Sequence, residues 1–215
     1  DPITFVADRA GWYVIHINAN DIAVMGAVPK WFLATVLLPE GKTDKKLIDS
    51  LFKNLLAGLR EIGATLCGGH TEVTPGFNRP IIIGQMLGEV PRERLVQKKS
   101  IRAGDHIHLI GGVAIEGTAI IASLKKKEVT ARFGKRFVNR CRRFIYDPGI
   151  SVLKPAAAAA ATHLLTGMHD PTEGGVLGGI WELACLRKLG CEIFTDDINI
   201  YPESYKLCQY LKLDP

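Results

Sequence analysis

The sequence predicts a two-domain α/β protein, and three features of the chain support this prediction. Apolar runs of strand length alternate with amphipathic helical stretches up to about residue 91. The segment 91–104 is charged, begins with a proline, and has the composition of a domain boundary. A second series of strand-like and helix-like segments follows it. We therefore predict domains at 1–97 and 98–215, with a mixed sheet in the first and an α/β sandwich in the second.

The elements of the first domain follow from apolar spacing and from residues that end helices. Within 11–27, apolar residues recur at intervals of three and four, and a Gly-Ala-Val-Pro sequence ends the run. The segment 43–62 is the clearest helix, because leucines repeat every four residues, with Thr43 as the N-cap and Gly63 as the stop. The predicted order is strand 3–7, helix 11–27, strand 30–38, helix 43–62, strand 64–67 and strand 81–90.

The second domain is predicted to contain more helix than strand. Its segment 151–165 includes an unbroken alanine run, and alanine is the strongest helix former. The short apolar runs at 105–110 and 191–194 have the length and composition of strands. The predicted order is strand 105–110, helix 115–124, a basic helical pair ending at 146, helix 151–165, helix 176–189, strand 191–194 and helix 203–211.

Composition limits the class of protein. Hydrophobic residues make up 47% of the 215 residues and the net charge is only +5, which excludes an intrinsically disordered chain. Five cysteines without a CxxC pair argue against a disulfide scaffold, and a reducing, cytoplasmic compartment is predicted. No apolar run reaches the roughly 18 residues of a membrane helix, so no membrane partner is expected. Because the first residue is not Met, we expect a piece of a longer polypeptide.

Most of the positive charge lies in one segment, 125–143, which contains nine basic residues and one acid. A solvated helix face is the favoured interpretation, and a phosphate-rich partner is the alternative. Phe133, Phe137 and Phe144 recur at helical spacing within or beside the segment, which predicts core contacts rather than base-stacking platforms. The sequence therefore disfavours a nucleic-acid partner.

The first candidate functional stretch is Asn18-Ala19-Asn20-Asp21, inside an otherwise apolar helix. Asn and Asp are poor residues for a helix interior, because their side chains compete for backbone hydrogen bonds. A surface acid or a kinked helix would explain Asp21 without a function. The functional interpretation is a ligand for a hard cation, since carboxylates suit Mg²⁺.

The second stretch, Gly68-Gly69-His70-Thr71-Glu72, follows a predicted strand directly. Glycines allow backbone N–H groups to approach an anion, so the stretch is a candidate phosphate-binding loop. The chain has neither a Walker A nor a GxGxxG motif, and an ordinary turn is the simpler interpretation of this stretch alone. Neighbouring Cys67 is a candidate nucleophile, with a buried thiol as the favoured interpretation.

The third stretch, Asp170-Pro171-Thr172-Glu173-Gly174-Gly175, precedes a predicted helix. Asp170 or Thr172 would cap this helix, and Glu173 suits its positive end. The alternative is a phosphate or metal site at the helix N-terminus. Asp1 is a further acid at the start of a strand, and composition alone gives it no role.

Together and in this order, these stretches resemble the aminoimidazole ribonucleotide (AIR) synthetase superfamily. The resemblance spans nearly the whole chain, and its most specific motif is the ten-residue run from Asn20 to Pro29. Within the superfamily the chain is most similar to the hydrogenase expression/formation branch, which includes the carbamoyl dehydratases. The other motifs are Asp1-Pro2-Ile3-Thr4-Phe5, Gly68-Gly69-His70-Thr71-Glu72 and Asp170-Pro171-Thr172-Glu173-Gly174-Gly175.

The resemblance implies an ATP-dependent enzyme that uses Mg²⁺ and forms a homodimer through a barrel built from the N-terminal sheets. It implies an amide-like or small-molecule acceptor that is phosphorylated or dehydrated, with other maturation proteins as partners. By motif position, Asp1 and Asp21 would bind Mg²⁺, and Asp21 and Asp170 would be catalytic. The residues implied to contact ATP are Asn20, Gly68, Gly69, His70, Thr71, Thr172, Glu173, Gly174 and Gly175.

One departure from the dehydratase pattern keeps other activities open. Many dehydratases of this type have Asp where His70 stands, and a histidine there is similar to the selenophosphate enzymes. The alternatives are therefore a selenophosphate-synthase-like or thiamine-monophosphate-kinase-like phosphotransferase, or a non-catalytic dimeric scaffold that kept the fold.

Overall fold

The computed structural model describes residues 1–4 and 9–215, and the chain divides into two compact units. Unit 1 comprises residues 1–96 and 152–165, and unit 2 comprises residues 97–151 and 166–215. The segment 152–165 therefore packs with the first unit, although it follows much of the second in sequence. The domain boundary that the sequence predicts between residues 97 and 98 stays a prediction. Most of the predicted strand 3–7 lies outside the described residues.

Unit 1 is a mixed four-stranded sheet with helices. Its strands stand in the order β1-β4-β2-β3, where β4 runs antiparallel to both of its neighbours and β3 runs parallel to β2. The elements are β1 (Pro2–Ile3), α1 (Ala10–Ala23), β2 (Val28–Pro39), α2 (Lys45–Ile62), β3 (Thr65–Thr74), β4 (Ile81–Glu89) and, later in the chain, α5 (Leu153–Ala160).

The core of unit 1 lies between one face of the sheet and α1 and α2. Side chains alternate along a strand, so every second residue of β2 is buried, as Phe32 and Val36 are. The leucine repeat of α2 supplies Leu51, Leu55 and Leu59 to the same core. Burial of these apolar side chains stabilises the unit, at about 1.5–3 kcal/mol for each fully buried one.

The predicted α2 is present, but its N-cap is not Thr43. The side chain of Asp44 accepts a hydrogen bond of 2.7 Å from the backbone N–H of Leu47, which makes Asp44 the cap. The Thr43 hydroxyl donates instead to the Pro39 carbonyl at 2.7 Å. Gly63 ends the helix with a φ of 70°, as predicted, because glycine adopts this left-handed conformation without steric cost.

The prediction of a short strand followed by a glycine loop at 68–72 is wrong. Strand β3 continues through these residues to Thr74, because its backbone pairs in parallel with β2 along Leu33–Pro39. A register shift between Phe32 and Leu33 accommodates the extra residue. Gly69 is required within the strand, because a Cβ there would lie 1.9 Å from the Ala34 carbonyl oxygen.

Unit 2 is helical in its regular structure. Its longest helix bends at Gly134, which has a φ of 84° and a ψ of 164°, so the predicted pair of basic helices is present. The helix predicted at 115–124 is confirmed with the same bounds. Its helices are α3 (Ile115–Leu124), α4 (Lys126–Arg142), α6 (Gly175–Cys185) and α7 (Pro202–Leu211).

The core of unit 2 contains the phenylalanines of the basic segment. Phe144 is fully buried, whereas Phe133 and Phe137 pack against the buried cluster formed by Ala122, Val129, Val138, Cys141 and Leu207. The rings of Phe133 and Phe137 stack with centroids 4.6 Å apart. The prediction that these rings are core contacts is therefore confirmed.

The strands predicted at 105–110 and 191–194 are absent from the described residues. The nearest feature in unit 2 is an isolated parallel bridge between Val113 and Ile200. An apolar run becomes a strand only when another strand satisfies its backbone hydrogen bonds. No such partner stands beside these runs in the described part of the chain, and Ile107, Ile110 and Phe194 are exposed.

Candidate functional site

Asn18 fixes the start of the chain against α1. Its side-chain oxygen accepts a 2.7 Å hydrogen bond from the main-chain nitrogen of Asp1, while its Nδ2 donates to the carbonyls of Asp1 at 3.3 Å and Val14 at 2.7 Å. Asn18 is only 4% exposed, and Gly84 makes room for it, because a Cβ on Gly84 would lie 2.6 Å from Nδ2. This buried amide therefore determines where Asp1 lies.

Asp21, the second predicted metal ligand of unit 1, lies near the backbone of Asp1. Asp21 follows Asn18 by three residues, so both lie on one side of α1. The Asp21 carboxylate is close enough to the Asp1 main-chain nitrogen to act on it electrostatically. Both aspartates are exposed. The described residues contain no cluster of three or more His, Cys, Asp or Glu suited to a metal ion. Two carboxylates nevertheless fit Mg²⁺, which usually takes its remaining ligands from water and phosphate.

Asn20 is placed differently from its predicted role. It is buried, and its side-chain oxygen accepts a 2.9 Å hydrogen bond from the backbone N–H of Val152 at the start of α5. The amide therefore attaches the 152–165 segment to α1 within unit 1. Its contact with ATP stays a prediction.

The glycine segment of β3 does not lie beside Asp1 and Asp21. A single row of paired residues runs across the sheet from Pro2 through Ile83 and Thr35 to His70. Pro2 and His70 therefore occupy opposite edges, separated by three interstrand spacings or roughly 14 Å. At its own edge, His70 has its Nε2 3.6 Å from Oε2 of Glu72, and both side chains are exposed.

The interpretation of Asp170 or Thr172 as a helix cap is wrong. Gly174, with a φ of 75°, occupies the N-cap position of α6, and no side chain there accepts a hydrogen bond. Thr172 donates its hydroxyl to the Asp170 carbonyl at 3.2 Å. The first N–H groups of α6 have no side-chain cap, and such groups together with the helix dipole suit an anionic ligand.

Asp170 occupies an electrostatically unusual position. Burial raises the pKa of its carboxyl, while the side chains of His169 and Lys98 act in the opposite direction. The side chain of Asp170 is 13% exposed and that of His169 is 18% exposed. A half-buried carboxylate whose charge depends on its neighbours is typical of a functional site.

Three residues have roles at these segments that the sequence did not predict, although Asn18 belongs to the first candidate stretch. Asn18 positions Asp1, and His169 and Glu182 form a pair beside Asp170. His169 directly precedes the third motif, which is the signal that could have identified it. Glu182 follows Gly175 by seven residues, two helical turns along one face of α6.

The remaining candidates lie elsewhere. Cys67 is exposed, so its interpretation as a buried thiol is wrong, and its Sγ lies 3.4 Å from the Phe32 carbonyl oxygen. In unit 2, a surface cavity of about 660 Å³ runs along α4 beside Lys126, Lys127 and Lys135. The cavity shares no lining residue with the three candidate stretches. No helix among the described residues is long and apolar enough to cross a membrane.

Models of one protein family match nearly the whole chain. The N-terminal domain model of AIR synthase related proteins matches residues 2–90, and the corresponding C-terminal domain model matches residues 102–212.

Curated relatives match the entire chain at modest identity. A Methanocaldococcus jannaschii protein, provisionally named for hydrogenase expression/formation, is 27% identical over 100% of this chain and 60% of its own length. The carbamoyl dehydratase HypE of Rhizobium leguminosarum bv. viciae is 26% identical, over 100% of this chain and 59% of its own length. A selenide, water dikinase of Pelobacter propionicus is 27% identical, over 86% of this chain and 49% of its own length. The chain thus spans about 60% of the first two relatives.

Solved structures share the two-domain fold. A crystal structure of the hydrogenase maturation protein HypE superposes with a TM-score of 0.80 at 23% identity, over 100% of this chain and 64% of that one. HypE in complex with ATP gives 0.74 at 20% identity, over 96% and 58% of the two chains. A HypE–HypF complex gives 0.77 at 18% identity, over 95% and 64%.

Proposed function

Because the chain belongs to the AIR synthase related protein family, we propose that it is part of an ATP-dependent enzyme of the hydrogenase expression/formation type. The carrying observation is that Asn18 holds the Asp1 backbone against α1, the helix that also carries Asp21. The ATP-bound HypE structure, which has the same fold, supports the choice of nucleotide. Because the chain spans about 60% of the first two relatives, the activity is proposed for the whole enzyme.

Asp1 and Asp21 are the residues that would hold Mg²⁺ in unit 1. Two carboxylates and the phosphate oxygens of a nucleotide make a ligand set that this ion prefers. When bound, Mg²⁺ would neutralise charge on the transferred phosphoryl group. Asn18 and Gly84 prepare this place, because they fix the Asp1 backbone before any ligand arrives.

In unit 2, the stretch from Asp170 to Gly175 is proposed to contact phosphate. The uncapped N–H groups at the start of α6 would donate hydrogen bonds to phosphate oxygens. Phosphoryl transfer depends more on position and charge neutralisation than on a covalent nucleophile. The backbone anion site at the start of α6 satisfies these needs, and Asp170 is the carboxylate that lies beside it in sequence. The acceptor would be an amide-like group or another small molecule, which is phosphorylated or dehydrated.

The open face of the sheet supports a homodimer. Trp31 and Leu87 are paired neighbours on the face that points away from α1, and they are 41% and 45% exposed. Ile83 continues the same apolar strip. Such a strip marks an interaction surface. Two sheets that close into a barrel place the edges of one copy beside those of the other, so edge segments as distant as Asp1 and His70 can both line nucleotide sites. A further maturation protein is the proposed transient partner, by analogy with the HypE–HypF complex.

The nucleotide proposal is tested by thermal unfolding with and without Mg·ATP. A ligand at 100 times its dissociation constant stabilises the folded state by about 2.7 kcal/mol. We expect Mg·ATP to raise the melting temperature, ATP with EDTA to raise it less, and Asp21→Asn to remove the difference between them. Asp49→Asn is the matched control, because Asp49 forms only an exposed pair with Lys45.

Two outcomes would contradict this proposal. No shift of the wild-type chain with saturating Mg·ATP would argue against an ATP site. A full shift in Asp21→Asn would remove Asp21 from that site. A protein that dimerises but neither binds nor hydrolyses ATP would support the non-catalytic scaffold.

A phosphotransferase of the selenophosphate type is the second candidate. His70 is the observation that favours it, together with the similarity to a selenide, water dikinase. The two candidates differ in the acceptor. Consumption of ATP that depends on selenide would favour this candidate, and dependence on a carbamoyl-bearing thiol would favour the dehydratase.

A further inference from the structure

The third motif lies against α6 through a close backbone approach. Gly179 allows it, because a Cβ there would lie 2.5 Å from Cβ of Pro171 and 3.5 Å from Cδ2 of His169. Only glycine leaves enough room for the proline ring at this point. The 169–171 segment is therefore held on the helix one turn before Glu182.

His169 lies between two carboxylates. Its Nε2 is 2.5 Å from Oε2 of Glu182, a charge-assisted hydrogen bond in which the ring N–H donates. Its Nδ1 is 3.7 Å from Oδ1 of Asp170, too far for a hydrogen bond but close enough for a strong electrostatic interaction. Nδ1 is buried and has no hydrogen-bond partner among the described residues. The buried ring edge therefore faces the carboxylate of Asp170.

The nucleotide role proposed above does not use Glu182. Its side chain is about half exposed, at 51%, and it lies on α6 outside the motif. A surface glutamate that directs one oxygen onto a histidine fixes the orientation and the tautomer of that ring. In this arrangement the Glu182 carboxylate acts on the group on the far side of the His169 ring, which is Asp170.

We propose that Glu182 and His169 are positioning residues that keep the Asp170 carboxylate ionised and oriented. Glu182 holds the ring by accepting from Nε2–H, and in the imidazolium form Nδ1–H faces Asp170 and favours its negative charge. The charged groups that act on Asp170 are His169 from its own loop and Lys98 from the short 3-10 helix Lys98–Ser100, far earlier in the chain. Of Glu182, His169 and Asp170, only Asp170 would touch the substrate. The inference therefore rests on the proposed function only in what the negative charge of Asp170 is used for.

The test is a titration of the Asp170 carboxyl by carbon-detected NMR on the whole chain, without nucleotide. Burial raises the pKa of Asp170 and His169 opposes this effect, so His169→Gln should move the pKa of Asp170 further upward. Glu182→Gln should move the pKa in the same direction by less, because a neutral amide orients the ring but does not support its charge. Glu192→Gln is the control, since Glu192 is an exposed acid of the same unit.

The outcomes separate this inference from the proposed function. An Asp170 titration that is the same in wild type, His169→Gln and Glu182→Gln would overturn the inference, whatever the chain does with ATP. If His169→Gln fails to fold, as judged by circular dichroism, Glu182→Gln decides the question alone. In the complete enzyme, His169→Gln should shift the acid limb of the pH–rate profile to higher pH, because Asp170 then loses its proton at higher pH. An unshifted acid limb would also contradict the inference, whereas an enzyme without turnover contradicts only the proposed function.

Discussion

The two units contain the same two local features in different surroundings. Each has a Gly-Gly pair within a polar motif, and each has a buried or half-buried histidine hydrogen-bonded to a glutamate. In unit 1 the pair Gly68-Gly69 lies inside a strand, whereas in unit 2 the pair Gly174-Gly175 starts a helix. Similar sequence motifs therefore serve backbone packing in one unit and helix initiation in the other.

The reasons for glycine differ between the pairs. At Gly69 the neighbouring strand leaves no space for a Cβ. A Cβ at Gly175 would meet no heavy atom within 4 Å among the described residues beyond its chain neighbours and its own helix backbone, so the φ of 62° is the constraint there. One pair is required by a contact and the other by a backbone angle. The second pair places free N–H groups at a helix start, and at the edge strand β3 the alternate N–H groups that point away from β2 are also outside the ladder.

The largest effect is expected for Gly69→Ala. The new Cβ would lie 1.9 Å from the Ala34 carbonyl oxygen and 2.7 Å from the Ala34 carbonyl carbon, so β3 must separate from β2. We expect unit 1 to lose about 3 kcal/mol or more, combining overpacking with an unfavourable φ. Hydrogen exchange of the β2 peptide, residues 28–39, measures the loss. Unchanged protection there would contradict the parallel pairing of β3 with β2.

A smaller effect is expected for Gly174→Ala. A Cβ here meets only Cα of Gly178, at 3.4 Å, so the cost comes from the left-handed backbone, at about 1–2 kcal/mol. Urea unfolding followed through Trp181, which belongs to unit 2, measures this change. A loss as large as that of Gly69→Ala would show that the two pairs are alike after all.

The sequence predicted local structure well and long-range pairing poorly. The leucine repeat of α2 and the Gly63 stop depend on neighbours within four residues, so they could be predicted. The strand character of Gly68–Thr74 depends on β2, more than 30 residues earlier, and no local pattern reports it. The predicted strands 105–110 and 191–194 failed for the same reason, since a strand-like run says nothing about its partner.

The candidate site shows the same division. The motifs predicted Asp21 and Asp170 as site residues, because acids beside glycine-rich or helix-breaking stretches are conspicuous in a sequence. The residues that position Asp1 and His169 are Asn18 and Glu182, which act across 17 and 13 residues. Their roles follow from hydrogen bonds that only the folded chain reveals.

The histidine–glutamate pairs give a prediction for pH. In unit 1, Glu61 accepts from Trp12 Nε1 at 3.0 Å and lies 3.1 Å from His16 Nε2. Burial lowers the pKa of His16 below its ordinary 6.5, and Glu61 only partly opposes this. The unfolded chain therefore binds a proton that the folded chain rejects, so unit 1 loses stability as the pH falls below about 6.5.

The variant His16→Phe tests whether His16 causes this loss of stability at low pH. The ring centroids of Trp12 and His16 are 3.9 Å apart, and the phenylalanine ring would keep this place beside Trp12. Unlike imidazole, the phenylalanine ring cannot bind a proton. We expect urea midpoints of unit 1, followed through Trp12, to fall less between about pH 7 and about pH 5 than in the wild type. An equal fall in both would assign the pH dependence to other groups.

The smallest effect on stability is expected for Gly68→Ala, and this makes it the most informative variant for the function of β3. The nearest atom to a Cβ at Gly68 is Cδ2 of Leu33 at 3.9 Å, an ordinary contact, and alanine loses less backbone entropy in a strand than glycine. Unit 1 should therefore keep its stability to within about 0.5 kcal/mol. Isothermal titration with Mg·ATP then isolates binding from folding. Weaker binding would show that a nucleotide approaches the backbone at Gly68, as its motif implies, whereas unchanged binding would confine the glycine pair of unit 1 to packing and leave the phosphate role to Gly174-Gly175.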